Sequence, residues 1–167
     1  MRIAIFGNSG SGKSTLARHL ARTRSLPMLE LDDIVWEPGK IAVLRDQRAI
    51  RDDLQQFLRA HEHWIVEGCY GELIDLTTNF TPEFVFLNPG VEVCVANNRA
   101  RPWEPHKYAS KEAQDQMLAN LVAWVEDYYR RDDGWSLVAH RRLFDAYPGP
   151  KREIVHRVDP EAFVPLS

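Results

Sequence analysis

The octapeptide Gly7-Asn8-Ser9-Gly10-Ser11-Gly12-Lys13-Ser14 sets a lysine and a hydroxyl at the end of a glycine-rich loop, in the order G-x-x-x-x-G-K-[ST]. Each residue type answers a need of phosphate binding. Glycines let the chain turn tightly, so that successive backbone N–H groups converge on phosphate oxygens. Lys13 supplies a cation that can follow charge onto β- and γ-phosphates, and the Ser14 hydroxyl is an oxygen ligand suited to Mg²⁺. A helix starting here aims the positive end of its dipole at the same anion. The alternative, a glycine-rich turn with an incidental lysine, does not explain the context. The apolar run Arg2-Ile3-Ala4-Ile5-Phe6 precedes the loop, and Thr15-Leu16-Ala17-Arg18-His19-Leu20-Ala21 follows it at helical spacing. Phosphate contacts are therefore expected from Gly7, Asn8, Ser9, Gly10, Ser11, Gly12, Lys13, Ser14 and Thr15.

A second set of groups is acidic. In an open parallel sheet, ligands bind at the carboxyl ends of the strands. Asp32 and Asp33 follow a predicted strand at 28–31, and Glu67 ends a predicted strand at 64–66. A carboxylate beside the loop can hold the water shell of Mg²⁺, which takes few protein ligands. Ser14 and Glu67 are thus the candidate metal residues. Phosphoryl transfer often also needs a group to accept the acceptor's proton. Asp32 is the first candidate for that role and Asp33 its substitute, with helix capping or loop solvation as the alternative for both.

The elements that must position these groups alternate between strand and helix, which argues for a parallel sheet with helices on both faces. Strands are predicted at 2–6, 28–31, 64–66, 84–87 and, in a polar stretch, 151–158. Helices are predicted at 13–24, 46–60, 91–100, 110–131 and 136–147. The helix at 110–131 is expected to present one broad apolar face, with Met117, Leu118, Leu121, Val122, Trp124, Val125, Tyr128 and Tyr129 on it. No repeat, low-complexity tract or linker divides the chain, so one domain over 1–167 is expected.

Composition narrows the function classes. An apolar fraction of 44% and a charged fraction of 27% are those of a soluble globular protein. A net charge of −3 supplies no basic field and argues against direct nucleic-acid binding. No apolar run approaches the roughly 20 residues that span a bilayer, and a core strand at the N-terminus leaves no room for a signal peptide. Cys69 and Cys94 lack metal-ligand spacing and read as buried thiols, which fits a reducing cytoplasm.

The loop with its flanking strand and helix, Leu31-Asp32 followed by Trp36, Val66-Glu67-Gly68-x-Tyr70 and His140-Arg141-Arg142-Leu143-Phe144 together resemble small P-loop kinases. The likeness is to the nucleoside monophosphate kinase and shikimate kinase group. Within it, the chain is similar to bacterial adenylate kinase-related proteins, also labelled DNA topology modulation proteins. The resemblance implies an α/β P-loop NTPase three-layer sandwich, with a five-stranded parallel sheet in the order 2-3-1-4-5 and a short lid at about 99–112. It implies Mg·ATP as donor and a small-molecule or nucleotide acceptor. By position, Glu67-Gly68 resembles the Asp-Gly pair of adenylate kinases, with glutamate as a departure. Asp32 lies where shikimate and gluconate kinases keep an acidic residue on the acceptor. Arg99 and Arg101 fall where these kinases begin their lid, with Lys107 and Lys111 close behind, and helix-end solvation is the alternative for both arginines.

Acceptor recognition is expected between the second and third strands, from Trp36, Arg45, Arg48, Arg51 and Tyr70. The three arginines equally suit the exposed face of an amphipathic helix, and their spacing favours that. Lys151 and Arg152 could flank an adenine or lie in a solvated turn. The Gly-Gly-Gly motif of shikimate kinases and the Asp-Gly-Phe-Pro-Arg stretch of adenylate kinases are missing, and His61-Glu62-His63 is not the H-E-x-x-H zinc motif. The expected activity is transfer of the γ-phosphoryl group of ATP to a small acceptor. The alternative is an ATP-binding regulatory protein of the topology-modulation type.

Overall fold

A computed structural model describes residues 1–40, 43–104 and 108–166. The chain folds as β1 (Arg2–Gly7), α1 (Lys13–Arg24), β2 (Met28–Glu30), α2 (Leu31–Val35), α3 (Gln47–Ala60), β3 (Trp64–Gly68) and α4 (Gly71–Leu76). After a 3₁₀ turn at Thr77–Phe80 come β4 (Glu83–Leu87), α5 (Val91–Arg99), α6 (Lys111–Asp127), α7 (Leu137–Ala146) and β5 (Lys151–Ile154). All four strand pairings are parallel and the sheet order is β2-β3-β1-β4-β5. Among the described residues no helix is long and apolar enough to cross a membrane.

Strand parity divides the core. Ile3, Ile5, Ile65, Val85 and Leu87 face one side of the sheet and are covered by Leu16, Ala17 and Leu20 of α1. Ala4, Phe6, Trp64, Val66, Phe84 and Phe86 face the other, under Ile50, Leu54 and Leu58 of α3 and Leu73 and Ile74 of α4. The strands are apolar on both faces because both faces are covered, as a parallel sheet requires. α3 begins where Asp46 accepts hydrogen bonds from the Arg48 and Ala49 amides, each at 3.0 Å.

Three expectations shift. The second strand stops at Glu30, and Leu31 opens a short helix that carries Asp32 and Asp33 in its first turn. Carboxylates suit that end of a helix dipole, and Leu31 and Val35, four residues apart, are both buried. β5 ends at Ile154, not at 158: Val155 is 64% exposed, and the chain leaves the sheet, bringing Val158 beside Gly12. In α6 only Val125 is buried, so the expected broad apolar face is mostly half covered. Its third core cluster is small, pairing Val125 with Cys94 and Val95 of α5.

Candidate active site

β1 releases the chain into the 7–14 loop at the centre of the sheet's carboxyl edge, and α1 starts directly from it. Gly10 has φ +78, and a Cβ there would collide with the Cys94 carbonyl oxygen and the Asn98 side chain. The loop therefore lies flat against α5, which a side chain at this position would prevent. α5 and α6 hold it from behind. Asn97 Nδ2 donates to the Gly10 carbonyl at 2.8 Å, Ser9 Oγ donates to Asn98 Oδ1 at 3.2 Å, and Asn8 Nδ2 donates to the Val125 carbonyl at 2.9 Å. The backbone N–H groups of Lys13, Ser14 and Thr15, at the start of α1, precede the helical ladder and can serve an anion, as at other helix N-termini.

Lys13 is 8% exposed, and its Nζ donates to the Asn8 carbonyl at 2.9 Å. Ser14 Oγ donates to Glu67 Oε1 at 2.8 Å. Glu67 is 5% exposed; burial pushes its carboxyl above the usual carboxylate range, against the pull of Lys13 and the Ser14 hydrogen bond. Ser11 Oγ, also buried in the loop, has no hydrogen-bond partner among the described residues. On the far side of Glu67, the Tyr70 hydroxyl donates to Asp32 Oδ1 at 2.6 Å. Burial, the Cys69 thiol and Asp32 hold the Tyr70 hydroxyl well above its ordinary value, so it remains a donor. Gly68 makes room for this arrangement: a Cβ there would stand 2.9 Å from the Leu31 Cβ, prising α2 and Asp32 off the end of β3.

These groups share a cleft of about 1000 Å³. Residues 9–15 form its floor, Asp32, Glu67 and Cys69 line one part of its wall, and Arg101 to Glu104 another. Val158 and its neighbours close the end beside Gly12. Arg101 lines the cleft, with Nη1 3.5 Å from Glu104 Oε2. Arg99 ends α5 with its side chain exposed and does not line the cleft, and neither does the exposed Asp33. Lys107 lies outside the described residues, and Lys111 pairs with Asp115 on the helix surface.

Other candidates resolve as scaffold. Arg45 donates to the Ile34 carbonyl and to Asp53, and Arg48 and Arg51 are exposed on α3. Trp36 stands edge-on to Trp135 at 6.3 Å. Lys151 caps the carbonyls of Phe144, Asp145 and Tyr147, and Arg152 pairs with buried Glu83 at the opposite end of the sheet. Neither flanks the cleft; residues 157–160 do. Arg18 and Glu30 also line the cleft without having been sequence candidates. Arg18 Nε and Nη2 donate to Glu30 Oε1 and Oε2, at 2.8 and 3.0 Å. Their signal was there to find: Arg18 lies one helical turn beyond Ser14, and Glu30 sits in register beside Glu67.

No family model matches the chain. Cytidylate kinase of Carboxydothermus hydrogenoformans is 32% identical over 127 residues, covering 74% of this chain and 55% of that protein. The chain thus spans about half the length of the curated relative it matches. Among solved structures, shikimate kinase from Aquifex aeolicus superposes with a TM-score of 0.53 at 19% identity, over 96% of this chain and 89% of that one. A sugar kinase from Janibacter sp. HTCC2649 gives the same score at 16% identity, over 96% and 87%. The fold is that of the small P-loop kinases. In this P-loop kinase fold, the residues present suit a Mg²⁺ ion. Ser14 and Glu67 offer hard oxygen donors within one hydrogen bond of each other, and the buried carboxylate lies against the loop cation Lys13.

Proposed function

We propose that the protein transfers the γ-phosphoryl group of ATP to a hydroxyl of a small-molecule acceptor, with a nucleotide among the candidates. The carrying observation is the convergence of Lys13, Ser14, Glu67 and Asp32 on one cleft beneath Arg101. ATP would place its β- and γ-phosphates in the 7–15 loop, where the backbone N–H groups and Lys13 meet the charge. To do so, Lys13 exchanges its bond with the Asn8 carbonyl for phosphate oxygens. Ser14 and Glu67 would hold Mg²⁺, which on binding offsets charge on the phosphate oxygens.

Asp32 faces the acceptor side, oriented by the Tyr70 hydroxyl. Its carboxylate would take the acceptor's O–H proton as the new O–P bond forms and the bond to the β-phosphate oxygen breaks, leaving ADP. A carboxylate held by a donor is a weak base, suited to a transition state in which the proton leaves late. Arg101 would cover the transferring group when the lid closes and water is excluded. Arg99, at the exposed end of α5, would join only on that closure.

An ADP-release assay with Mg·ATP against nucleoside monophosphates, nucleosides, shikimate and gluconate tests this reading. The expected result is strong stimulation by one compound, reduced by orders of magnitude in Lys13→Ala and in Asp32→Asn. Normal turnover by either variant would refute the roles assigned. A flat panel with ATP still bound would refute transfer and leave a nucleotide-dependent switch.

A further inference from the structure

We propose that His140 is a positioning residue of this site, acting through the carbonyl oxygen of Cys69. The inference rests on the phosphotransferase reading of the same cleft. His140 is completely buried on α7, with Nε2 2.9 Å from the Cys69 carbonyl oxygen and Nδ1 2.7 Å from the Tyr128 hydroxyl. A carbonyl can only accept, so Nε2 carries the hydrogen, and Nδ1 accepts from Tyr128. The ring is wedged edge-on against Phe6 at 5.6 Å and Phe86 at 6.0 Å, near the carboxyl ends of β1 and β4. Position, tautomer and orientation are therefore all determined.

What the imidazole grips is the first peptide beyond β3. Glu67 and Gly68 are aligned with Ile5 and Phe6 in the sheet, but at Cys69 the strand has ended. Its carbonyl would otherwise have to find another partner in a largely covered site. Two residues before it hangs Glu67, bonded to Ser14; one residue after it hangs Tyr70, bonded to Asp32. One imidazole thus fixes the peptide that leads from the end of β3, where Glu67 stands on the metal side, to Tyr70, the support of the acceptor-side aspartate. Tyr128 extends the chain of contacts to the end of α6, the helix whose Val125 carbonyl also holds Asn8 of the loop. Groups that orient a metal ligand in this way are worth about 10- to 100-fold in affinity or activity.

The test reads binding, so it does not depend on finding the acceptor. The affinity of N-methylanthraniloyl-ATP is measured with and without Mg²⁺ for the wild type, His140→Leu, His140→Gln and Tyr128→Phe. In His140→Leu the gain in affinity conferred by Mg²⁺ should fall about 10-fold, while metal-free affinity stays within about twofold, because the loop contacts are untouched. His140→Gln, whose amide can still donate to Cys69, should recover most of that gain. Equal losses with and without Mg²⁺, or no loss, would mean the histidine is only structural and overturn the inference. So would failure of glutamine to outperform leucine. If His140→Leu does not fold, Tyr128→Phe decides: it should lose a few-fold of the Mg²⁺ gain, and an unchanged gain overturns the proposal. An absence of phosphoryl transfer with the Mg²⁺ effects intact would sink the proposed activity alone. A wild type indifferent to Mg²⁺ would sink both.

Discussion

Burial of His140 makes acid stability a quantitative probe of the core beneath the site. Burial above all, then the Lys13 and Arg131 cations, pulls the imidazole down from 6.5 to about 4, with the Cys69 carbonyl opposing. Above pH 6.5 the histidine is neutral in both folded and unfolded chains and contributes nothing. Between 6.5 and 4 the unfolded chain takes up a proton that the native state refuses, so stability falls as pH falls, and the loss is complete below 4. A depression of about 2.5 in pKa corresponds to about 3 kcal/mol. For a chain of this length that is a fall in Tm of roughly 6–12 °C. Urea denaturation of the wild type and His140→Gln at several pH values between 7 and 4 isolates the effect. The stability difference between the two should shift by about 3 kcal/mol against the wild type on acidification. Glu67 works in the opposite direction, because its raised pKa makes the native state the better proton acceptor, but it is common to both proteins and cancels. A pH-independent difference would refute the reasoning, since it would mean that His140 protonates as readily in the folded protein as in the unfolded one.

Three further outcomes follow from the cleft. Gly10→Ala should abolish ATP binding in a titration and lower stability by at least about 1 kcal/mol, because the new methyl meets the Cys94 carbonyl at a left-handed φ; retained binding would mean the loop need not lie against α5. Tyr70→Phe removes the donor to Asp32 and should slow acceptor phosphorylation about 10-fold or more while leaving ATP affinity unchanged, as expected for a hydrogen bond to a charged group worth about 1.5–3 kcal/mol; a loss of ATP affinity instead would relocate the role of Asp32. The double change Arg48→Ala, Arg51→Ala should move stability by no more than about 0.5 kcal/mol and leave the acceptor KM within twofold, because both side chains are exposed outside the cleft. A tenfold rise in that KM would return the α3 arginines to the acceptor site.

The glycine-rich loop side of the cleft was legible in the sequence because it is local. Loop, strand and helix lie within about twenty residues, and the spacing from Gly7 to Ser14 is the motif itself. α3 likewise follows from its helical apolar period, Ile50, Leu54, Phe57 and Leu58. Less was legible where a residue's role depends on what it meets. Arg99 and Arg101 looked alike two residues apart, but only Arg101 lies in the cleft. Lys151 and Arg152 suited a base-flanking pair or a solvated turn equally, and neither lines the cleft, because Lys151 caps helix carbonyls and Arg152 pairs with Glu83, whereas residues 157–160 do line it.

By itself, then, the sequence determined an α/β architecture, the glycine-rich loop motif and the set of acidic candidates, because short-range spacing and side-chain period carry that information. Tertiary structure decided which candidates act together. The Ser14–Glu67 bond spans 53 positions, Tyr70–Asp32 spans 38 and His140–Cys69 spans 71. Pairings of that range are created by sheet order and helix packing, which bring the ends of β1, β2 and β3 to one edge, and no local pattern in the chain records them.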